Sequence, residues 1–270
     1  MRIFWAAVFL LLYSASPAGA ADTDLNSLFF KANRLYFNNE FQPALDIYLS
    51  ILKQYKTSLP FYSRACGELF YNTGNCYFRL QEKGKAMLNY KRALMIMPRD
   101  ADLKYNLEYL QDTLKDNLPP PRAMIGDIIG DIFGVNFFSP TEIAILFCTF
   151  NLLLFLFFTV RIFFKSEWTF YFINIFLLFW IVAGISFGIM LKETVFDDRV
   201  VILEKEVEVL AGPDKHDTLL FKVHEGTVAQ QERIESDFSL IRLPDGKRGW
   251  LLLSSIEAVM PSTKYKNSDN

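Results

Sequence analysis

The sequence has few of the residue types on which metal sites and nucleophilic catalysis depend. It holds two histidines, His216 and His224, and three cysteines, Cys66, Cys76 and Cys148, among 270 residues. Both histidines lie in a different segment from every cysteine, so no Cys–His nucleophile pair is evident. A phosphate-binding glycine loop and the H-E-x-x-H and C-x-x-C motifs are also missing. We therefore predict that the chain is not an enzyme and has no catalytic, cofactor-binding or metal-binding residues.

A disulfide framework and a nucleic-acid partner are not expected either. Cys66 and Cys76 are ten positions apart in one predicted helix, or about 15 Å, which is too far for a bridge. The formal net charge of -2 provides no basic field for nucleic acid. Hydrophobic residues make up 51% of the chain and aromatic residues 16%, which is typical of a membrane protein with soluble parts.

Charged residues are absent from two long apolar runs, 143–160 and 168–191. Runs of 18 and 24 residues are long enough to cross roughly 30 Å of hydrocarbon as helices. Only seven residues join them, so we predict a transmembrane hairpin with helices at 141–164 and 168–191. The alternative, two buried helices of a soluble core, is disfavoured by the length of the runs. Without a charged residue inside, the hairpin does not fit a transporter or pump.

The N-terminal residues indicate on which side of the membrane the rest of the chain lies. Residues 1–20 have a basic start, an apolar run and small residues before a cleavage position, which is typical of a signal peptide. An uncleaved N-terminal anchor is the alternative, and either one exports the region that comes after it. The short loop with Arg161 and Lys165 is then cytoplasmic by the positive-inside rule.

Residues 25–58 and 67–100 repeat one pattern with a constant offset. The equivalent pairs are Ala32 and Gly74, Asn33 and Asn75, Ala44 and Ala86, Tyr48 and Tyr90, and Ile51 and Ala93. The pattern resembles the tetratricopeptide repeat, in which small residues let two antiparallel helices approach closely. We predict an all-α repeat domain over 25–118 that ends in a capping helix at 101–117. Because such arrays usually need about three repeats, we expect added stability from a partner or the membrane.

Repeats of this kind bind peptides or protein surfaces in a concave groove. The groove residues predicted here are Phe29, Asn33, Tyr71, Asn72 and Asn75. A carboxylate clamp of the repeat family uses two asparagines and three basic residues. Asn33 and Asn72 fit, but Phe29, Asp102 and Asn106 stand at the basic positions, so we expect no clamp. For Phe29 and Tyr71 the alternative is an ordinary place in the core between helices.

The segment 119–140 joins the repeats to the hairpin. Its aspartates and apolar residues suggest an interfacial amphipathic helix, but its glycines favour an irregular linker equally. Ser139, Pro140 and Glu142 at its end match an N-cap, a first-turn proline and a capping-box glutamate. The first span is therefore predicted to begin there.

Residues 199–260 change to short β-like segments separated by turn residues. Three motifs, Gly212-Pro213, His224-Glu225-Gly226 and Gly249-Trp250, resemble those of a bacterial SH3-like domain, which implies a small all-β barrel. Trp250 is a candidate for a ligand groove on this barrel, with packing in the barrel core as the alternative. His224 is interpreted as a turn residue, and residues 261–270 as a disordered tail.

The full order of export signal, repeats, hairpin and barrel resembles the Bat aerotolerance operon family. The resemblance implies a bacterial inner-membrane protein with both soluble domains in the periplasm. It also implies partners that are membrane proteins with von Willebrand factor A domains, encoded beside a MoxR-type ATPase and associated with oxygen or stress tolerance. We expect a non-enzymatic scaffold that contacts membrane lipid and binds proteins through the repeats. The alternatives are an envelope receptor whose barrel binds peptidoglycan and an accessory subunit of a membrane enzyme.

Overall fold

The computed structural model describes residues 20–58, 63–116, 130, 133–195 and 197–260. Nearly all of the predicted signal peptide, most of the predicted linker 119–140 and the predicted tail 261–270 lie outside these residues. The described residues form seven α-helices and one antiparallel sheet of seven strands. The sequence predicted this combination of helices with a β domain. The finer assignments, tetratricopeptide repeats and an SH3-like barrel, stay predictions.

Five helices, here called the repeat helices, precede the hairpin. They are α1 (Ala20–Phe37), α2 (Phe41–Ser58), α3 (Arg64–Arg79), α4 (Lys83–Ile96) and α5 (Ala101–Asp112). Within each of the first two helix pairs the chain reverses through one residue with positive φ, Asn39 at 63° and Gln81 at 64°. The helices of the second pair approach closely because Gly74 has no Cβ. A Cβ there would lie 2.6 Å from the ring of Tyr90.

Two further helices, α6 (Pro140–Phe163) and α7 (Glu167–Val195), form an antiparallel hairpin. Both are long and apolar enough to cross a membrane. The predicted start of α6 is confirmed, because Ser139 and Glu142 form a capping box with proline in the first turn. The end of α7 extends four residues beyond the predicted 168–191.

Stacked phenylalanine rings pack the two hairpin helices together. The closest ring pairs are Phe157 with Phe176 at 4.9 Å, Phe147 with Phe187 at 5.0 Å and Phe150 with Phe179 at 5.6 Å between centroids. A Cβ on Gly184 would lie 3.5 Å from the ring of Phe147, while one on Gly188 would meet nothing within 4 Å. The hairpin is thus packed by aromatic rings, and only the first of these two glycines faces its partner helix.

The sheet follows the hairpin. Its strands are β1 (Arg199–Ile202), β2 (Glu206–Leu210), β3 (Leu219–His224), β4 (Val228–Glu235), β5 (Phe238–Arg242), β6 (Arg248–Leu252) and β7 (Ile256–Ala258). Their order is β3-β2-β6-β5-β4-β1-β7, with all pairs antiparallel. Two of its turns use a glycine with positive φ, Gly226 at 84° in the His224-Glu225-Gly226 motif and Gly246 at 89° between β5 and β6. Alternate residues of the central strands form the core of the sheet.

The sheet packs directly on α4 of the repeat helices. Val201, Val259 and Met260 are buried in the same apolar cluster as the repeat helices. Gly84 permits this contact, because a Cβ there would lie 2.6 Å from the backbone oxygen of Ile202. The repeat helices therefore have a packing partner within their own chain, whereas the sequence suggested a separate partner or the membrane.

Arg92 of α4 forms polar contacts with β7 and the residue after it, at another point of the interface between α4 and the sheet. Its guanidinium donates to the backbone oxygens of Val259 at 2.9 Å and Ala258 at 2.8 Å. It also forms an ion pair with Glu257 at 2.8 Å. Because the Arg92 side chain is mostly buried, these charge-assisted bonds fix the position of β7 on the helix.

A second polar contact holds the end of β3 to the residues after α5. Asp116 accepts hydrogen bonds from the backbone amide of His224 at 2.7 Å, its ring Nδ1 at 2.8 Å and the hydroxyl of Thr227 at 3.0 Å. The ammonium of Lys115 lies 2.7 Å from the other ring nitrogen, Nε2, and the carboxylate of Glu206 lies 3.4 Å from it. His224, interpreted from the sequence as a turn residue, ends β3 and joins the sheet to the helical region.

We expect Asp116→Ala to lower the free energy of unfolding by roughly 2 kcal/mol, because it leaves partly buried donors without their acceptor. Burial raises the pKa of Asp116, but the bonds from His224 and Thr227 outweigh it and place the pKa below its ordinary value. Its contribution is present above the unfolded-state pKa of about 3.9 and is lost as the pH falls through the folded pKa. Thermal unfolding followed by circular dichroism from pH 3 to 7 measures both effects.

Asp112→Ala is the matched control, because Asp112 is exposed at the end of α5. The Asp116 variant should lose part of the acid dependence of the wild type, while the control keeps it. Equal unfolding temperatures and equal pH profiles for the two variants would contradict the role of Asp116.

Candidate partner-binding face

The predicted groove residues lie on α1 and α3, and one interaction recurs in both helix pairs. The phenol of Tyr48 on α2 donates to the amide oxygen of Asn33 at 2.5 Å. At the equivalent positions, Tyr90 on α4 donates to Asn75 at 2.7 Å. Both tyrosines are buried, so each bond fixes an asparagine at the boundary between core and surface. The internal repetition seen in the sequence is thus also present in the contacts.

Phe29 and Tyr71, predicted to line an apolar groove, also occupy equivalent positions. The ring of Phe29 lies 6.0 Å from that of Tyr48 in an edge-on contact, and Tyr71 lies 6.0 Å from Tyr90. Both are partly buried and pack against the core of the repeat helices. They therefore serve largely as core between helices, which is the alternative weighed from the sequence.

Asparagines on three helices form two sets of hydrogen bonds, one between α1 and α3 and one between α3 and α5. Asn72 of α3 donates to the amide oxygen of Asn33 on α1 at 3.4 Å. Asn106 of α5 donates to the phenol oxygen of Tyr71 at 2.9 Å and to Asn75 at 3.1 Å. All five side chains are partly exposed. We call these five residues the amide row, and it brings together the asparagines predicted from the sequence.

Asn106 is the member of the amide row that sequence reasoning missed. It was considered only as a position where the carboxylate clamp lacks a basic residue. A signal for it was present, since Asn106 follows Asn72 by 34 positions, the length of one tetratricopeptide repeat. Helix α5, predicted as a capping helix, therefore contributes to the face as well as covering the end of the core.

The phenol of Tyr71 remains protonated at neutral pH. Burial raises its pKa, and the charges of Asp102 and Asp100 add to the increase against the opposing bond with Asn75. Its oxygen already accepts from Asn106, so its proton remains a donor. The amide row thus presents side-chain donors and acceptors together.

Exposed aromatic side chains lie on the two outer helices of this face. On α1, Phe30 and Phe37 are 70% and 80% exposed. On α5, Tyr105 and Tyr109 are 68% and 53% exposed. Amide groups flanked by exposed aromatics can bind an extended peptide, because the amides pair with its backbone and the rings cover its apolar side chains.

Trp250, the candidate for a ligand groove on the sheet, is only 6% exposed. It packs with Leu210 and Phe238 in a small cluster, and the guanidinium of Arg233 lies 4.9 Å above its ring. Its ring is therefore covered by side chains of the sheet itself. This arrangement corresponds to packing, the alternative weighed from the sequence, and presents no open aromatic surface to a ligand.

Possible metal sites, the cysteines and comparisons with known proteins also bear on function. In the part of the chain that the structure describes, no three His, Cys, Asp or Glu side chains are grouped to hold a metal ion. The cysteines at 66, 76 and 148 are not joined by disulfides, and burial raises the pKa of Cys76 to about 12. Comparison with protein families, curated proteins and solved structures gives no match.

Proposed function

We propose that the protein is a non-enzymatic, membrane-anchored scaffold whose amide row binds an extended segment of a partner protein. The observation that carries the proposal is the set of partly exposed side-chain amides on α1, α3 and α5, which are hydrogen bonded from α1 to α3 and from α3 to α5. A row of this kind suits the regular spacing of peptide groups in an extended chain, whatever its side chains. The exposed aromatic residues beside it add affinity for apolar side chains of the partner.

The hairpin of α6 and α7 is proposed to anchor the scaffold in a bacterial inner membrane. Its ring-packed helices, exposed on their outer surfaces, suit a lipid environment. The ends that join the soluble regions lie on one side, and Arg161 and Lys165 lie at the other end. With those charges in the cytoplasm, the repeat helices and the sheet face the periplasm.

The sequence resemblance to the Bat aerotolerance operon family suggests the class of partner. Membrane proteins with von Willebrand factor A domains are the proposed occupants of the amide row. Proteins of that family are associated with oxygen or stress tolerance, so the scaffold would belong to a complex with that role. A peptidoglycan receptor receives no comparable support, because Trp250 is covered by its own sheet.

The test is crosslinking and affinity capture of the tagged full-length protein from intact membranes. The variant Asn72→Ala/Tyr105→Ala removes one amide and one exposed ring, and neither side chain is fully buried. We expect it to reduce capture of the partner by roughly tenfold, because lost hydrogen-bonding and aromatic contacts together cost about 1.4 kcal/mol or more. Mass spectrometry of the co-purified proteins is the measurement.

The matched control is Leu49→Ala/Ser50→Ala on α2, which contributes no residue to the amide row. Both side chains are exposed, so the control removes two surface groups outside the face. The control should capture the partner as the wild type does. Equal losses for both double variants, or no loss for either, would overturn the amide row as the binding site.

A further inference from the structure

A cavity of about 460 Å³ lies where the repeat helices meet the start of α6. Its charged lining consists of Arg64 and Arg99 together with Asp100 and Glu142. The volume falls within the range of small-molecule sites, which is about 300–1,000 Å³. Two cations and two anions line it, so the cavity has both signs of charge and no net excess of either.

The cavity lies at the level expected for lipid headgroups. Ser139, Thr141 and Glu142 line it from the first turn of α6, and the apolar run of α6 begins directly afterwards. Three helical residues rise about 4.5 Å, and the headgroup layer extends about 5–7 Å beyond the hydrocarbon. If α6 crosses the membrane, its first turn and the cavity therefore lie within the headgroup layer.

The two arginines retain donors that can face a ligand. Arg64 is 81% exposed and uses its Nε in a 3.2 Å pair with Glu68. Arg99 pairs with Glu142 through one terminal nitrogen at 2.5 Å. Its guanidinium lies 5.1 Å from the ring of Phe137, which is 57% exposed. Guanidinium groups bind phosphate through paired hydrogen bonds, and Phe137 offers an apolar surface beside them.

Asp100 supplies the opposite charge at the same cavity. One carboxylate oxygen accepts from the backbone amide of Leu103 at 2.9 Å, as expected of an N-cap. A carboxylate can accept further bonds from a primary ammonium, which has three donors. A quaternary ammonium has no N–H to donate. The Asp100 carboxylate therefore distinguishes an ethanolamine headgroup, which has a primary ammonium, from a choline headgroup, which has a quaternary one.

We propose that this cavity binds the headgroup of a phosphatidylethanolamine lipid, with its phosphate at Arg64 and Arg99 and its primary ammonium at Asp100. A zwitterion matches the balanced charges of the lining. An anionic headgroup such as phosphatidylglycerol brings the phosphate without an ammonium to pair with Asp100, and a choline headgroup offers Asp100 no N–H donor. This binding rests on the membrane anchorage proposed above. A lipid bound in the cavity would hold the repeat helices against the membrane surface.

The test is native mass spectrometry of the detergent-solubilised full-length protein, titrated with phosphatidylethanolamine, phosphatidylcholine or phosphatidylglycerol of identical acyl chains. We expect phosphatidylethanolamine to bind roughly tenfold more tightly than either other lipid, because each lacks one charge-assisted contact. Arg64→Gln should weaken the binding of all three lipids, because all three carry the phosphate, and Asp100→Asn should remove most of the preference for phosphatidylethanolamine. Asparagine keeps the N-cap of α5, so the second variant changes charge without removing the cap.

Arg34→Gln, an exposed arginine at the end of α1, is the control and should keep the preference. Equal affinity for the three lipids, tighter binding of phosphatidylglycerol, or an unchanged preference in Asp100→Asn would overturn the proposal. Equally tight binding of water-soluble glycerophosphoethanolamine would also overturn it, since the site would then serve a free phosphate ester. Two further measurements separate this proposal from the proposed function. Resistance of the protein to carbonate extraction from membranes tests the anchorage alone. Capture of the partner protein by Arg64→Gln tests the amide row alone.

Discussion

Valine in place of Gly84 is expected to force the sheet away from the repeat helices. A side chain at this position would meet the backbone oxygen of Ile202 at 2.6 Å and the Cα of Leu203 at 2.9 Å. Backbone atoms cannot rotate away as the end of a flexible side chain can, so the interface must open. We expect a loss of about 3 kcal/mol in the free energy of unfolding, measured by chemical unfolding of the full-length protein in detergent.

Lys85→Val places the same side chain one position further along α4. Lys85 is exposed and pairs with Glu82 at the surface, so its replacement should change stability by no more than about 1 kcal/mol. The Gly84 variant should also become sensitive to proteases at the sheet, while the control stays resistant. Similar stability and protease resistance in both variants would show that the contact of α4 with the sheet contributes little.

Removal of the Tyr90 side chain is the second change with a large expected effect. Tyr90 is 1% exposed, its ring fills the space left by Gly74, and its phenol binds Asn75 at 2.7 Å. Tyr90→Ala should therefore cost about 3–5 kcal/mol of unfolding free energy, as for other large core aromatics. Thermal and chemical unfolding of the full-length protein provide the measurement.

One further variant separates packing from hydrogen bonding at Tyr90, and another serves as the surface control. Tyr90→Phe keeps the ring and loses the hydrogen bond, so we expect a cost of about 1 kcal/mol. Tyr105→Ala removes a 68% exposed ring and should change stability by no more than about 0.5 kcal/mol. A cost for Tyr90→Phe as large as that for Tyr90→Ala would mean that the hydrogen bond, and not packing, dominates.

The internal repeat was predictable because its constraints are local. A small residue, an asparagine and a tyrosine must recur at fixed positions for two helices to pack in the same way twice, and the constant offset records this. The bond of Tyr48 to Asn33 and that of Tyr90 to Asn75 are the structural outcome. The apolar runs and the capping box at Ser139 are equally local signals, so the bounds of α6 differ from the prediction by one residue.

The packing of the sheet on α4 was not predictable, because its signals are ordinary residues when read alone. Gly84 resembles any glycine near a helix start, and only the backbone of β1 beside it explains why no side chain fits. His224 resembles a turn residue, and its role depends on Asp116, which is 108 positions earlier. Contacts between distant segments leave no periodic pattern in a single sequence.

The contact between α4 and the sheet links the soluble fold to the path of the chain through the membrane. The amide of Gly84 meets the carboxylate of Glu225 at 3.3 Å, across 141 positions that include the whole hairpin. If α6 and α7 cross the membrane as proposed, a copy with only one span inserted would have its sheet and its repeat helices on opposite sides of the membrane. The contact of Gly84 with the sheet could not form in that copy, and the apolar surface of the repeat helices would stay uncovered. The contact that joins the two soluble regions would then also distinguish fully inserted copies from half-inserted ones.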